Sequence, residues 1–334
     1  VHSILILSAV AVFFTQSHFS EENSRIWLAN LFICSVLAII LLTAGRIVCR
    51  ALTDLGYGKR EGLLLSLFLA VAYIGAFFFF HYFFDAEQDI KTYDSAFYWI
   101  RLIEDRQLIV QSVPDYLAHL LRSFSQEYTG LGAFALIPAS YLFGLEFSGY
   151  CFSVFSIYSL PGCLFWTILA LKLMAAARGM KPGVAEFVVC FSLFAMSVPF
   201  LWPVMRGYLD VSGVLIVSVM VLIAFSWNSV DFEWKRIVTL AALSLALLFT
   251  RRWYAYFIVG FYFSFGVATL FGMLTERTFS VKKFTMFFLN MFMIAALSCL
   301  FIFLINSDLF SLFLLNDYAT AYSAYKGMSL WENL

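Results

Sequence analysis

The chain has 334 residues, of which 63% are hydrophobic and only 13% are charged, and its formal net charge is zero. Soluble domains have about 25% charged residues, so this composition excludes an ordinary soluble protein and indicates an integral membrane protein. A chain without net charge has no general basic surface, and we expect no nucleic-acid partner.

Apolar runs close to the roughly 20 residues that cross a bilayer recur along most of the chain. They predict an all-α, polytopic transmembrane protein with about nine or ten spans, each satisfying its own backbone. A further apolar stretch at 131–147 is ambiguous, because it could cross the membrane or lie beside it. The predicted spans are residues 3–17, 26–45, 62–84, 150–172, 184–203, 211–227, 237–250, 254–274 and 285–305.

The positions of Lys and Arg set the expected orientation. If the N-terminus is cytoplasmic and 131–147 does not cross, more basic residues lie in cytoplasmic loops than outside, as is usual for membrane proteins. If 131–147 crosses, the balance beyond residue 150 reverses. We therefore prefer the first arrangement, which places residues 85–149 outside the membrane as one long loop.

This long loop opens with an acidic stretch, FFDAEQDIKTYDSAFYWIRLIED, in a chain otherwise short of charge. A connection of this length is usually functional. Further on, Leu117, Leu120, Leu121 and Phe124 repeat at helical spacing, which predicts an amphipathic helix in the plane of the membrane surface. The stretch 131–147 is expected to dip beside it.

Three shorter segments are expected on the same side as the acidic loop: WPVMRGYLD, TRRWYAY and the residues after the last span. Together they predict a polar site at the outer membrane surface. Carboxylates that face arginines there suit a reaction between a lipid-anchored phosphate and a polar acceptor. An acid could take a proton from the attacking hydroxyl while the lipid phosphate leaves.

The order of these features resembles the GT-C superfamily of membrane glycosyltransferases, which includes the aminoarabinose transferases of lipid A and the protein O-mannosyltransferases. The likeness covers about residues 62–274 and rests on TYDSAFYW, EYTGLGAFALIPASYLFG, the basic turn AAARGMKPG and the second outer acid in RGYLD. It implies a polyprenyl-phosphate sugar donor, a loop acid as base and inversion at the anomeric carbon. It also implies a lipid, glycan or protein acceptor and a bacterial inner membrane, with an extracytoplasmic active site.

Three acids are candidates for the chemistry implied by this resemblance. Asp94 and Asp85 are rivals for the general base, and Asp210 would assist the base or hold a metal. The sequence does not establish a cofactor. If a divalent ion takes part, oxygen ligands such as Asp94 and Asp210 favour Mg²⁺ or Mn²⁺ over zinc.

Arginines and aromatic residues complete the predicted site. The donor phosphate would be neutralised by the three arginines Arg206, Arg251 and Arg252. The sugar could stack on the three loop aromatics Tyr93, Tyr98 and Trp99.

Most of these residues also have a simpler explanation. Asp94 directly precedes SAFYWIRLI and could cap a helix, whereas Asp85 could mark the hydrocarbon boundary. Arg206 and Asp210 are four residues apart and could form a plain ion pair. The paired arginines of TRRWYAY could anchor the chain beside interfacial aromatics.

Histidines and cysteines carry little functional signal. His81 and His119 lack a paired ligand spacing, so we expect no zinc site. The six cysteines lie in or beside apolar runs without CxxC spacing, and we expect them to be small buried hydrophobic residues. No Walker loop or HExxH motif occurs in a convincing context, which disfavours nucleotide hydrolysis and zinc proteolysis.

The chain is expected to divide into an N-terminal part with a cytoplasmic loop (1–61), a GT-C-like core that includes the outer loop (62–306), and an extracytoplasmic segment (307–334) leading into a further part of the protein. One rival function is a polymerase or ligase of O-antigen type. The other is a transporter or flippase, which would hold ionisable residues near the middle of the bilayer.

Overall fold

All regular structure in the described part of the chain is helical. The computed structural model describes residues 22–86, 93–124, 129–227, 229–251, 254–276 and 279–305. Within these ranges no strand occurs, so the all-α prediction is confirmed for them. The apolar composition explains this outcome, because a helix satisfies its own backbone N–H and C=O groups where water is absent.

Fourteen α-helices make up the described ranges. They are α1 (Glu22–Asp54), α2 (Lys59–Ala86), α3 (Tyr93–Gln111), α4 (Val113–Ser123), α5 (Leu131–Phe134), α6 (Ile137–Phe143), α7 (Phe147–Val154), α8 (Leu160–Arg178), α9 (Val184–Ala195), α10 (Val198–Met205), α11 (Asp210–Phe225), α12 (Trp234–Thr250), α13 (Tyr254–Thr275) and α14 (Val281–Ile305). A π-helical turn, Phe155–Ser159, joins α7 to α8.

Four helical segments of the described ranges are long and apolar enough to cross a membrane: α2, the continuous α7–α8 rod, α13 and α14. A fifth results if α9 and α10, which are bent by 48° relative to each other, count as one span. The sequence predicted about nine or ten. The difference arises partly because α11 and α12 have only 16 and 17 residues, and because the predicted span 3–17 lies outside the described ranges.

The bend between α9 and α10 follows from proline. Pro199 lies in the first turn of α10, where proline is tolerated, but it has no N–H to donate to the Ala195 carbonyl oxygen and its ring would clash with that carbonyl in a continuous helix. The chain therefore leaves the helix at Met196 and re-enters it at Val198. A single predicted span, 184–203, becomes two helices.

The ambiguous stretch 131–147 forms two short helices, α5 and α6, of four and seven residues. Seven helical residues extend only about 10 Å, so neither helix can cross a bilayer. Leu136 and Ile137 are buried, which places the stretch inside the protein. This agrees with the arrangement in which 131–147 does not cross.

The amphipathic helix predicted in the acidic loop corresponds to α4, and its buried face agrees with the predicted one in part. Leu120 and Phe124 of the predicted face are buried, but Leu121 is 47% exposed. Val113 and Tyr116, which the prediction did not include, are buried as well. α4 packs against α3, and α3 packs against α1 and α5. The helices of the loop are therefore part of the main core.

Two hydrophobic cores hold the helices together. The larger joins the loop helices to α2, α7 and α8 through residues such as Phe80, Tyr116 and Phe152. The smaller lies among α11, α12 and α14, around Met220 and Ile294. α11 contacts both α8 and α12, so it links the two cores.

The six cysteines are all free, and the prediction that they are buried is right only in part. Cys151 and Cys163 are buried in the larger core. Three others lie on exposed helix faces, and one is half-buried; these are Cys34, Cys49, Cys299 and Cys190.

Helix connections lie at two ends of the bundle. At the first, which we call the loop end, α10 meets α11 and α12 meets α13; the Tyr254 hydroxyl there donates to the Asp210 carbonyl oxygen. At the second, the opposite end, the α1–α2 turn meets the α8–α9 turn; the Tyr57 hydroxyl donates to the Gly183 carbonyl oxygen. The predicted site residues belong to the loop end.

Candidate functional site

The turn between α10 and α11 forms one wall of the candidate site. Gly207 has φ +70° in this turn, in the left-handed region that favours glycine. The Tyr150 hydroxyl donates a 2.7 Å hydrogen bond to the Gly207 carbonyl oxygen, and a Cβ atom at 207 would lie 2.9 Å from the Tyr150 ring. The turn therefore requires glycine, and it fixes the point at which α11 begins.

An ion pair crosses the site from the start of α11 to the end of α12. Arg251 Nε lies 3.1 Å from Asp210 Oδ1; the arginine side chain is 12% exposed and the aspartate side chain 44%. Asp210 is in the first turn of α11, where the helix dipole stabilises a carboxylate. The pair thus joins a largely shielded cation to an anion that solvent still reaches.

Tyr254 ties the start of α13 to the same place. Its hydroxyl donates a 2.9 Å hydrogen bond to the Asp210 carbonyl oxygen. The close approach depends on Gly213, because a Cβ atom there would lie 2.2 Å from the Tyr254 ring. Glycine inside α11 costs helix stability, and here it makes room for the ring.

Tyr98 of α3 brings the acidic loop to this ion pair. Its side chain is buried, at 2% exposure, and the Arg251 guanidinium carbon lies 5.6 Å from the ring centroid. This distance is within the range of a cation–π contact. Three predicted residues from widely separated segments, Tyr98, Asp210 and Arg251, therefore lie together.

Arg206 has a different environment from Arg251. Its guanidinium carbon lies 4.7 Å from the Trp202 ring centroid. α10 ends before Arg206, and α11 begins only at Asp210. The two residues therefore do not share a helix, and the structure pairs Asp210 with Arg251.

Trp99 lies beside Tyr98 but packs in another direction. Its indole Nε1 donates a 2.7 Å hydrogen bond to the Leu145 carbonyl oxygen. The ring meets Phe147 edge-on, with the centroids 5.4 Å apart. These contacts attach α3 to the start of α7.

The remaining predicted site residues lie outside the described structure, wholly or in their side chains. Asp85 belongs to α2, and Tyr93 and Asp94 belong to α3, but only their backbone is described. Arg252 is outside the described ranges. Their assigned roles stay predictions.

A second ion pair, which the sequence reasoning did not single out, lies deeper in α3. Arg101 Nε is 3.2 Å from Asp105 Oδ1, and the side chains are 11% and 2% exposed. Tyr116 of α4 is fully buried, and the charge of Asp105 acts on its hydroxyl. The available signal was spacing: Tyr98, Arg101 and Asp105 are separated by three and four residues and so share one helix face.

Burial dominates the electrostatics of this second pair. Removal from water raises the pKa of Asp105 to about 6, and the neighbouring Arg101 guanidinium only partly offsets the effect. Burial and the nearby Asp105 charge also raise the pKa of the Tyr116 hydroxyl. Such perturbed carboxyl groups are concentrated at functional sites, although structural pairs also show them.

An apolar cavity of about 440 Å³ opens among α12, α13 and α14. Leu248, three residues before Arg251, and Ala255, next to Tyr254, lie in its wall. Val259 also lines it and is 71% exposed, so the cavity reaches the outer apolar surface. Its size is within the range of about 300–1,000 Å³ that ligand pockets usually have.

No cluster of three or more His, Cys, Asp or Glu side chains suited to a metal ion occurs in the described part of the chain. Asp210, one of the two predicted ligands, is held by Arg251. The charged groups that the described structure brings together at the candidate site are guanidinium and carboxylate groups.

Over the residues that the structure describes, the chain is all-helical and has four or five helices able to span a membrane, as expected of an integral membrane protein. Its loop end combines a partly shielded ion pair, a buried ion pair and a neighbouring apolar cavity. No protein-family model, curated protein or solved structure matches the chain.

Proposed function

We propose that the chain is a membrane glycosyltransferase that moves a sugar from a polyprenyl-phosphate donor to the hydroxyl of a lipid, glycan or protein. The observation that carries the proposal is the convergence of Tyr98, Asp210 and Arg251 at the loop end. Ionisable residues that a membrane protein shields from water are costly and commonly mark functional sites; Arg251 is only 12% exposed. A guanidinium and a carboxylate in one place suit phosphate release and proton transfer.

In the proposed reaction, an acid of the first loop, Asp94 or Asp85, accepts the proton of the acceptor hydroxyl. The acceptor oxygen forms a bond to the anomeric carbon as the bond from that carbon to the phosphate oxygen breaks. The electron pair of the broken bond stays on the lipid phosphate. Attack from the opposite face inverts the anomeric configuration.

Arg251 is the best placed of the described arginines to neutralise the departing phosphate. Its side chain is only 12% exposed, and charge-assisted hydrogen bonds are stronger when water is excluded. Asp210 orients this guanidinium in the absence of donor. Arg206 and Arg252 are proposed to contact the same phosphate.

The apolar cavity supports a lipid-linked donor. Its wall includes Leu248 and Ala255, close in sequence to Arg251 and Tyr254, so a phosphate at Arg251 would have its hydrocarbon chain beside the cavity. Apart from Ser244, Tyr262 and Ser298, the lining consists of aliphatic residues with Met291 and Cys299. An isoprenoid chain suits such a surface. A bacterial inner membrane with the loop end outside is proposed on the resemblance alone.

The test is a transfer assay on the purified protein in nanodiscs, with a radiolabelled short-chain polyprenyl-phosphate sugar and a lipid extract as acceptor. Asp94→Asn and Asp85→Asn are compared singly with Asp115→Asn, an exposed carboxylate of α4 that serves as control. We expect one of the first two variants to lose transfer and the control to keep it. Transfer that survives both changes would overturn the proposed mechanism.

A further inference from the structure

The buried cluster of Arg101, Asp105 and Tyr116 is not used by the proposed reaction. Besides the single ion-pair contact, three polar atoms of this cluster have no hydrogen-bond partner among the described residues: Arg101 Nη2, Asp105 Oδ2 and the Tyr116 hydroxyl. Buried polar atoms without partners are uncommon in native proteins. Packing alone does not explain why these three polar atoms are buried.

Stability does not supply that reason. A buried ion pair loses hydration on both ions, and replacing both partners by apolar residues of similar size is often neutral or stabilising. Apolar side chains are accommodated along this part of α3, because Leu102, next to Arg101, is fully buried in the larger core. A partly satisfied polar cluster is a less stable arrangement than an apolar one.

The cluster is connected to the candidate site through the chain segment at Thr129 and Gly130. A Cβ atom on Gly130 would lie 3.3 Å from Arg101 Nη2, so the guanidinium packs directly against this glycine. The Gly130 amide donates a 2.9 Å hydrogen bond to Ser123 Oγ of α4. The Thr129 hydroxyl donates to the carbonyl oxygen of Phe249, two residues before Arg251. Arg101 of the buried pair is thus in contact with the segment that is hydrogen-bonded to the end of α12.

The same helix face leads to the site directly. Arg101 follows Tyr98 by three residues, which places the two side chains on one side of α3. Tyr98 lies beneath the Arg251 guanidinium. Asp105 is on the same helix and holds the Arg101 guanidinium in place. The guanidinium in turn packs against Gly130, so a displacement of α3 relative to residues 129–130 would move Tyr98 relative to Arg251.

We propose that Arg101 and Asp105 are positioning residues for the transfer reaction: Asp105 fixes the direction of the Arg101 guanidinium, the guanidinium fixes the packing of α3 against Gly130, and this packing holds Tyr98 against Arg251. This inference rests on the proposed function. Neither residue touches the reacting atoms. Each acts through the packing of other groups.

The first experiment replaces both charges at once, as Arg101→Met with Asp105→Leu, in the full chain in nanodiscs. We expect a melting temperature within about 2 °C of wild type or higher. We expect KM for the donor within about twofold of wild type, and kcat lower by roughly 10- to 100-fold, because small misplacements of site groups reduce turnover strongly. The matched control is Arg236→Met with Glu233→Leu, an exposed pair at the start of α12, which should leave kcat unchanged.

Two results would overturn the proposal. A double variant with wild-type kcat shows that the pair does not position the site. A double variant that melts far below wild type, with kcat restored when the assay is cooled, shows a structural pair. If wild-type protein transfers no sugar, the proposed function fails by itself.

A second measurement tests positioning without transfer. Spin labels are attached at Gln107→Cys on α3 and Ala242→Cys on α12, both exposed positions, in a chain whose native cysteines are replaced. We expect one narrow distance distribution with the pair intact and a broader or shifted one in the double variant. An unchanged distribution would contradict the inference, whatever the transfer assay shows.

Discussion

Two ion pairs, each formed by residues three or four positions apart in the chain, show how the two ends of the molecule differ. Arg101 and Asp105 are four residues apart on α3, and their side chains are 11% and 2% exposed. Glu233 and Arg236 are three residues apart at the start of α12, with side chains 42% and 31% exposed. The first pair is shielded from water, and the second is open to it.

This difference has an energetic meaning. An exposed pair contributes about 1 kcal/mol or less, because water competes for both charges. A buried pair costs several kcal/mol of lost hydration per ion, so it persists where geometry or function requires it. The shielded charges of the described chain, Arg101, Asp105 and Arg251, connect to the loop end. The same type of substitution should therefore change activity and stability much more at the loop end than at the opposite end.

The largest expected effect is on transfer. Arg251→Met should lower the rate of sugar transfer by roughly 100- to 1,000-fold, because a charge that stabilises the leaving phosphate is removed from a shielded place. Arg236→Met removes an arginine of the exposed pair and should leave the rate within about twofold. The measurement is initial velocity at saturating donor. An equal loss of transfer rate in the two variants would show that arginines at the two ends do not differ in function.

The next effect is on stability. Asp105→Ala should lower the free energy of unfolding by about 3 kcal/mol or more, because the Arg101 guanidinium is left buried without its carboxylate. The check is thermal or denaturant unfolding in a mild detergent. Restoration of stability by adding Arg101→Met to Asp105→Ala would confirm that the stranded charge, rather than lost packing, causes the decrease. A loss below about 1 kcal/mol would mean that water reaches the pair.

The third prediction concerns pH. Burial raises the pKa of Asp105 to about 6, above the unfolded value of about 3.9. The folded state therefore holds this proton more tightly; the carboxyl contributes stability that is complete below about pH 4 and is lost as the pH rises to about 6. Between those values the slope is at most about 1.4 kcal/mol per pH unit.

Asp105→Asn should remove this part of the slope, while Asp115→Asn, at an exposed position on α4, should keep it. The measurement is the melting temperature from pH 4 to pH 7 for wild type and both variants. Identical profiles in wild type and Asp105→Asn would show that Asp105 does not titrate in this range.

The fourth prediction compares two glycines in helices. Gly213→Ala should destabilise the protein by about 1–3 kcal/mol, because a Cβ atom there would lie 2.2 Å from the Tyr254 ring and would displace it from Asp210. Gly260→Ala, where nothing lies within 4 Å, should be neutral or stabilising by up to about 1 kcal/mol. Unfolding curves of the two variants give the comparison. Equal free energies of unfolding for the two variants would show that the Tyr254 ring does not pack against Gly213.

The sequence predicted the helical class because composition alone decides it: apolar runs leave few alternatives to helices. It also grouped Tyr98, Asp210 and Arg251, which the structure brings together, because charged or aromatic residues at the ends of apolar runs are conspicuous; their roles stay predictions. It did not identify which acid Arg251 contacts. The spacing of four residues favoured an ion pair between Arg206 and Asp210, but the chain leaves helical geometry at Gly207 between them. Asp210 pairs instead with Arg251, which is 41 residues further along the chain.

The buried pair was missed for a related reason. Arg101 and Asp105 belong to an acidic, charged stretch, and charge in sequence is usually read as exposure. The face of α3 that carries them is covered by Tyr116 of α4 and by the segment at Gly130. Such burial depends on contacts between distant segments, and helical periodicity cannot show it. The burial of Val113 and Tyr116 on α4, which the periodicity did not predict, has the same cause.

The smallest expected effect completes the comparison at the opposite end. Glu233→Gln removes the carboxylate that lies 2.9 Å from Arg236 Nε, but Arg236 keeps its 2.6 Å hydrogen bond from Nη1 to the Ser226 carbonyl oxygen. Both side chains remain accessible to water, so the free energy of unfolding should change by less than about 1 kcal/mol. The small change should vanish in 1 M salt, where exposed charges are screened. A loss as large as that of Asp105→Ala would mean that exposure does not distinguish the two pairs, and the case for function at the buried pair would lose its basis.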